Sequence, residues 1–97
     1  MSAENRNYEM VLVFQDSGEE ELNRYQTQLN TDLEKRNITV KSSEEWGNRN
    51  LFHETNHHTR GKFYFYNITA NPANIAQITS DINVNAGIIK SLVTRAG

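Results

Sequence analysis

Residues Arg60 to Asn67 read R-G-K-F-Y-F-Y-N, two cations and a glycine leading into four consecutive rings, in a chain whose aromatic residues are four Phe, four Tyr and one Trp. Cations neutralise phosphates and ring faces stack on bases, so a strand of this composition carries the parts with which small sheet proteins meet RNA. The same composition also suits a pleated, half-buried surface whatever the function. Three histidines, His53, His57 and His58, stand close enough in sequence to suggest a metal, but no carboxylate or cysteine completes an evident tetrahedral set, and no metal is expected. Cysteine is absent, which excludes thiolate catalysis, disulfides and cysteine-ligated clusters. No nucleophile with an adjacent base, glycine-rich phosphate loop or pair of carboxylates at a strand end is readable, so neither enzyme activity nor a cofactor is expected.

The formal net charge of −2 argues against a strongly electrostatic nucleic-acid binder, yet it hides an imbalance. Through Asn48 there are five Lys/Arg against ten Asp/Glu, and from Arg49 onward five against two, leaving the second half at +3. Such a half-surface can engage phosphates while the acidic half faces water or another protein. A chain of 97 residues is expected to form a single domain over 1–97, with residues 1–5 a flexible N-terminal extension. The longest apolar run, Met10 to Phe14, is far below the roughly 20 residues that cross a bilayer, and a cytoplasmic protein is expected.

The elements that must position these residues follow from periodicity. Asn7–Phe14 is short, β-rich and nearly continuously apolar, as a central strand covered by helices would be. Ser17-Gly18-Glu19-Glu20 predicts a capping box, and Leu22, Tyr25, Leu29 and Leu33 form one helical stripe running to Arg36. Ile38 opens a second strand through Trp46, Gly47 permits a bulge, and Asn48–Thr59 reads as a long polar hairpin. Lys62–Thr69 is the third strand. Asn71-Pro72 reads as an N-cap with proline at the first helical position, ahead of Ile75, Ile78 and Ile82. Ile88–Thr94 closes the chain as a strand.

The order is β-α-β-β-α-β. It predicts an α+β, ferredoxin-like split β-α-β fold, a four-stranded antiparallel sheet with two helices on one face and the other face open. Right-handed crossovers place the first and third strands centrally. Alternation then sends either Phe63 and Phe65 or Tyr64 and Tyr66 to the open face, and the sequence leaves both possibilities standing. Tyrosines tolerate the wet side better, since their hydroxyls want a partner. Lys90 alternates with Ile88 and Leu92, and with Ile89 and Val93 toward the helices it would stand on the open face beside apolar neighbours. Trp46 is read first as packing the base of the hairpin and second as an anchor for a partner.

Three segments, Arg6-Asn7-Tyr8-Glu9-Met10-Val11, Glu45-Trp46-Gly47-Asn48-Arg49-Asn50-Leu51 and Asn85 to Arg95, resemble the bacterial small-subunit ribosomal protein six family in motif, order and spacing. The resemblance spans about Arg6 to Arg95. It implies a structural component of the small subunit, without catalysis, binding the central domain of 16S ribosomal RNA together with ribosomal protein eighteen and monomeric when isolated. RNA contacts are expected at Arg49, Arg60, Lys62 and Arg95 from the basic half, with Arg6 and His57 added by the resemblance, and partner contacts at Lys90 and Leu92. At His57 the family pattern has lysine. Imidazole neutralises a phosphate only when protonated, a minority state at pH 7 for a reference pKa of ~6.5.

Two other readings fit parts of the chain. An RNA recognition motif would share the Arg60-Gly61-Lys62-Phe63 beginning and take single-stranded bases on its rings, whereas the ribosomal reading predicts a folded junction and a protein partner. A ferredoxin-like homodimer binding a small molecule would seal the open face with a second copy, which light scattering would reveal.

Overall fold

The computed structural model describes residues 5–55 and 58–96, with side chains described outside 52–59. Six elements follow in the expected order: β1 (Arg6–Gln15), α1 (Glu19–Lys35), β2 (Thr39–Thr55), β3 (His58–Ala70), α2 (Pro72–Asn83) and β4 (Ile88–Arg95). The sheet order is β2-β3-β1-β4, every pairing antiparallel, with β1 and β3 central. Both helices cover one face, and the fold is the ferredoxin-like split β-α-β arrangement.

Period-two burial in β1 fixes the register. Met10, Leu12 and Phe14 point to the helices and are fully buried, meeting Leu22, Leu29 and Leu33 of α1 and Ile78 and Ile82 of α2 in one core. Pairing β1 with β3 sets Met10 opposite Tyr66, Leu12 opposite Tyr64 and Tyr8 opposite Ile68, so the tyrosines of the aromatic run face inward. Phe63 and Phe65, opposite Val13 and Val11, face the open side. The solvation preference of the hydroxyl is overruled, because a one-residue slip would also expose Ile68 and Ala70, both fully buried here. Burial, then the neighbouring Tyr64, pushes the Tyr66 phenol up to about 12.

The helix ends differ from each other and, in part, from expectation. The Ser17 capping box does not form. Gly18, at φ 97°, is the N-cap residue of α1 and makes no side-chain cap, its carbonyl accepting from Leu22 N–H at 3.0 Å. The helix therefore starts at Glu19, with Ser17 one position too early to cap it, and Glu19, Glu20 and Glu21 complement the positive helix end. At the other end Asn37 takes the left-handed conformation, φ 58°, and donates to Glu34 O while Ile38 N–H donates to Leu33 O. That is a Schellman closure, with the apolar pair Ile38 and Leu33 buried together. Asn71 caps α2 as expected, its Oδ1 accepting from Ala73 N–H at 2.9 Å with Pro72 in the first turn. Arg36, just past α1, grips Asp81 of α2 through two parallel bonds of 2.9 and 3.1 Å, which holds the Asp81 carboxyl below its ordinary value.

The segment expected as a long polar hairpin is one, and its strands run beyond the expected ends at Trp46 and Lys62. β2 continues to Thr55 and β3 starts at His58, so both run past the end of β1, where Gln15 pairs with Gly61, as a two-stranded ribbon. Residues 56 and 57, which include the expected contact His57, lie outside the described residues.

Candidate nucleic-acid and protein interface

The open face carries an apolar cluster at the ribbon end. Phe65 and Val11 form a cross-strand pair, and Val11 pairs on its other side with Leu92, so three strands contribute to one surface. A bulge in β2 between Glu45 and Gly47 turns Trp46 onto this face, helped by Gly47 at φ 82°. The indole stacks on Phe65 with centroids 5.4 Å apart and planes 5° from parallel, its Nε1 donates to Glu44 at 3.2 Å, and the Arg49 guanidinium lies 5.4 Å from the ring centroid. Trp46 remains 38 % exposed and Leu92 57 %. Trp46 thus both packs the hairpin base and stays accessible.

Gly61 makes that surface possible. A Cβ there would sit 2.2 Å from Val13 Cγ1, so β1 and β3 approach closely only because the position lacks a side chain. Ile89 Cδ1 reaches the same spot, 3.4 Å from where the Cβ would be, and Val13 is buried beneath these neighbours. This corrects one expectation. A register shift in β4 sets Lys90 opposite Val13 but Ile88 opposite Phe14, so Ile88 joins the core while Ile89 lies beside Val13. Val93 packs on the core, and Lys90 and Leu92 stand on the open face.

The cations singled out by the sequence fall in pairs, not in one patch. By register, Arg49 and Lys90 lie on the open face. Arg60 and Lys62 share the opposite face with Tyr64, at the root of the ribbon. Lys62 Nζ is 3.4 Å from Glu45 Oε2; burial opposes its charge, but Tyr64 and Glu45 outweigh that and raise its pKa above the ordinary value. Arg6, opposite Ala70, and Arg95, opposite Tyr8, meet at the far end of the sheet. Nine residues of strand separate Arg6 from Gln15, roughly 30 Å.

Two features escaped the sequence reading. The stack of Trp46 on Phe65 under Arg49 depends on a bulge that a glycine allows but does not require. At the other end of the open face lies a cavity whose polar lining residues, Asn7, Lys41, Ser42 and Asn67, are separated by up to 60 positions in the chain, with Tyr8, Ile68 and Ala96 completing the wall. Only the strand register joins them.

Comparison with known proteins gives a consistent result. The profile described as Ribosomal protein S6 matches residues 7–95. A small ribosomal subunit protein bS6 of Leptospira biflexa is 31% identical over 91 residues, covering 94% of this chain and 97% of that protein. One from Treponema denticola is 30% identical over 91 residues, covering 93% and 96%. Among solved structures, 30S ribosomal protein S6 of Thermotoga maritima superposes with a TM-score of 0.84 at 19% identity, over 95% of this chain and 88% of that one.

Proposed function

Since the chain belongs to the ribosomal protein S6 family and is thereby a structural, RNA-binding constituent of the small ribosomal subunit, acting in translation at the cytoplasmic ribosome, we propose that it binds the central domain of 16S ribosomal RNA jointly with ribosomal protein eighteen. The observation that carries this reading is the uncovered apolar cluster of Trp46, Phe65, Val11 and Leu92. Among the described residues no element of the chain lies over it, and a contiguous patch of this kind, rimmed by Arg49 and Lys90, suits a protein partner. Leu92 enters the partner's core contact and Lys90 fixes its register through charge.

RNA is met by the remaining cations from more than one side. Arg60 and Lys62 flank the ribbon, Arg6 and Arg95 mark the opposite end, Arg49 stands on the open face, and His57 is a further contact that the family resemblance implies. Paired cations spread over roughly 30 Å match several phosphate tracks of a folded junction better than one single strand. Few phosphate contacts and a net charge of −2 make binding weak without the partner. The role is structural and no reaction is assigned to it.

The test is binding of the purified chain to a central-domain 16S fragment and to an unstructured RNA of equal length, with and without ribosomal protein eighteen. The expected result is tight binding to the folded fragment only when the partner is present. Equal, partner-independent binding to the unstructured RNA would favour a stand-alone single-strand binder, and a stable homodimer would show the open face sealed by a second copy.

A further inference from the structure

The open face changes character along its length. Toward the chain termini its side chains are Asn7, Glu9, Asn67 and Thr69, and a cavity of about 380 Å³ opens there, its polar lining Asn7, Lys41, Ser42 and Asn67 completed by Tyr8, Ile68 and Ala96. That volume is within the range of small-ligand sites.

Two hydrogen bonds orient the amides. Asn67 Nδ2 donates to Ser42 Oγ at 2.9 Å, and Asn7 Oδ1 accepts from Thr69 Oγ1 at 3.1 Å. Asn67 Oδ1 and Asn7 Nδ2 are then left without a side-chain partner among the described residues. An acceptor and a donor, each held by a neighbour, match the donor and acceptor pattern of a base edge. Lys41 adds the cation of the lining. It is the extra residue of a bulge between Val40 and Ser42, exposed and outside the β2–β3 pairing. Glu9, directly opposite Asn67 on β1, stands beside the cavity, outside its lining residues, and supplies a further acceptor at cross-strand distance.

We propose that this polar end seats one unpaired nucleotide of RNA, its base edge read by Asn7 and Asn67 and its phosphate met by Lys41. The proposal rests on the RNA-binding role of the chain and gives it a point of base selection. Glu9 accepts from an exocyclic amino group, so guanine is preferred to uracil, which has none. Phosphate is held on the Lys41 side, away from the Glu9 carboxylate.

The experiment is a titration of the full, ¹⁵N-labelled chain with guanosine monophosphate, uridine monophosphate and inorganic phosphate, followed by NMR. Guanosine monophosphate should shift the side-chain amide signals of Asn7 and Asn67 saturably, and uridine monophosphate should bind at least roughly five-fold more weakly, the difference of about one hydrogen bond. Inorganic phosphate should move only signals near Lys41. Asn67→Ala should weaken guanosine monophosphate by a similar factor, and Lys41→Gln, which leaves the Asn67–Ser42 bond intact, should abolish the phosphate response. No saturable shift, or identical responses to nucleotide and phosphate, would overturn the site.

A second arm separates the source of the nucleotide and the role of the whole chain. In assembled subunits, Asn67→Ala should remove chemical protection from one unpaired ribosomal RNA base while the protein is still incorporated. Unchanged protection alongside lost mononucleotide binding would overturn RNA as the source. Failure of the wild-type chain to incorporate, with nucleotide binding intact, would overturn the ribosomal reading and not the site.

Discussion

The two faces of the sheet are built from similar residues and have opposite fates. On the covered face Met10, Leu12, Phe14 and Ile68 have no exposure at all, sealed by Leu22, Leu29 and Leu33 of α1 and Ile78 and Ile82 of α2. On the open face Val11, Phe63, Phe65, Trp46 and Leu92 have no such roof, and Trp46 and Leu92 are among the most exposed large apolar side chains described. Even the aromatic run is split, tyrosines inward and phenylalanines outward. A hydroxyl-bearing ring buried while a bare ring faces out is a poor arrangement for an isolated domain, since roughly 25 cal/mol per Å² is forgone wherever apolar area stays wet. The covered face serves the fold, while the open face leaves apolar side chains such as Trp46 and Leu92 in water.

That contrast can be broken at either face. The largest effect is expected in the core: Phe14→Ala removes a fully buried ring that contacts Tyr64 edge-on at 5.5 Å and should cost about 3–5 kcal/mol in chemical denaturation, a large share of a small domain's stability. A loss below 1 kcal/mol would mean that the helices do not close this face. Next comes the position where the two faces depend on one another. Gly61→Ala drives a methyl into Val13 and should cost about 1–3 kcal/mol, read as a lower denaturation midpoint with an unchanged slope.

The inward tyrosine sharpens the comparison through pH. Tyr66 holds its proton up to about 12 in the folded chain, against an ordinary 10.0. A raised folded value means the contribution is intact below the unfolded pKa and is lost as pH rises through the window from 10.0 to about 12, amounting to about 2–3 kcal/mol at its upper end. Tyr66→Phe should flatten that alkaline limb. An unchanged limb would place the phenol in water and reverse the assignment of faces.

Much of this architecture was written in local patterns. The nearly continuous apolar run of β1, the α1 stripe and the Asn71-Pro72 cap each depend on neighbours in sequence, and each predicted its element. The failures came where register decides. Ser17 and Glu20 have the spacing of a capping box, but Gly18 takes φ 97° and starts the helix one residue later. The stretch after Asn48 was legible as a long hairpin, but its hydrophilic side chains gave no sign that β2 would continue past Trp46 to Thr55 and β3 begin at His58 instead of Lys62. Ile88 and Ile89 exchanged roles because one bulge shifts β4 by a residue, which no composition records. The candidate site suffered most. Arg49, Arg60, Lys62, Lys90 and Arg95 are legible as cations, but which face each occupies is a parity question settled only by pairing, and Asn7, Ser42 and Asn67 become a group only across three strands.

The most direct measurement uses the double variant Lys90→Glu/Leu92→Asp on the open face. Its stability should stay within about 0.5–1 kcal/mol of wild type, since both side chains are exposed, while its co-migration with small-subunit particles from its own cells in moderate salt is lost. Folded protein that still co-migrates like wild type would contradict the claim that the open face is where this domain is joined to its partner.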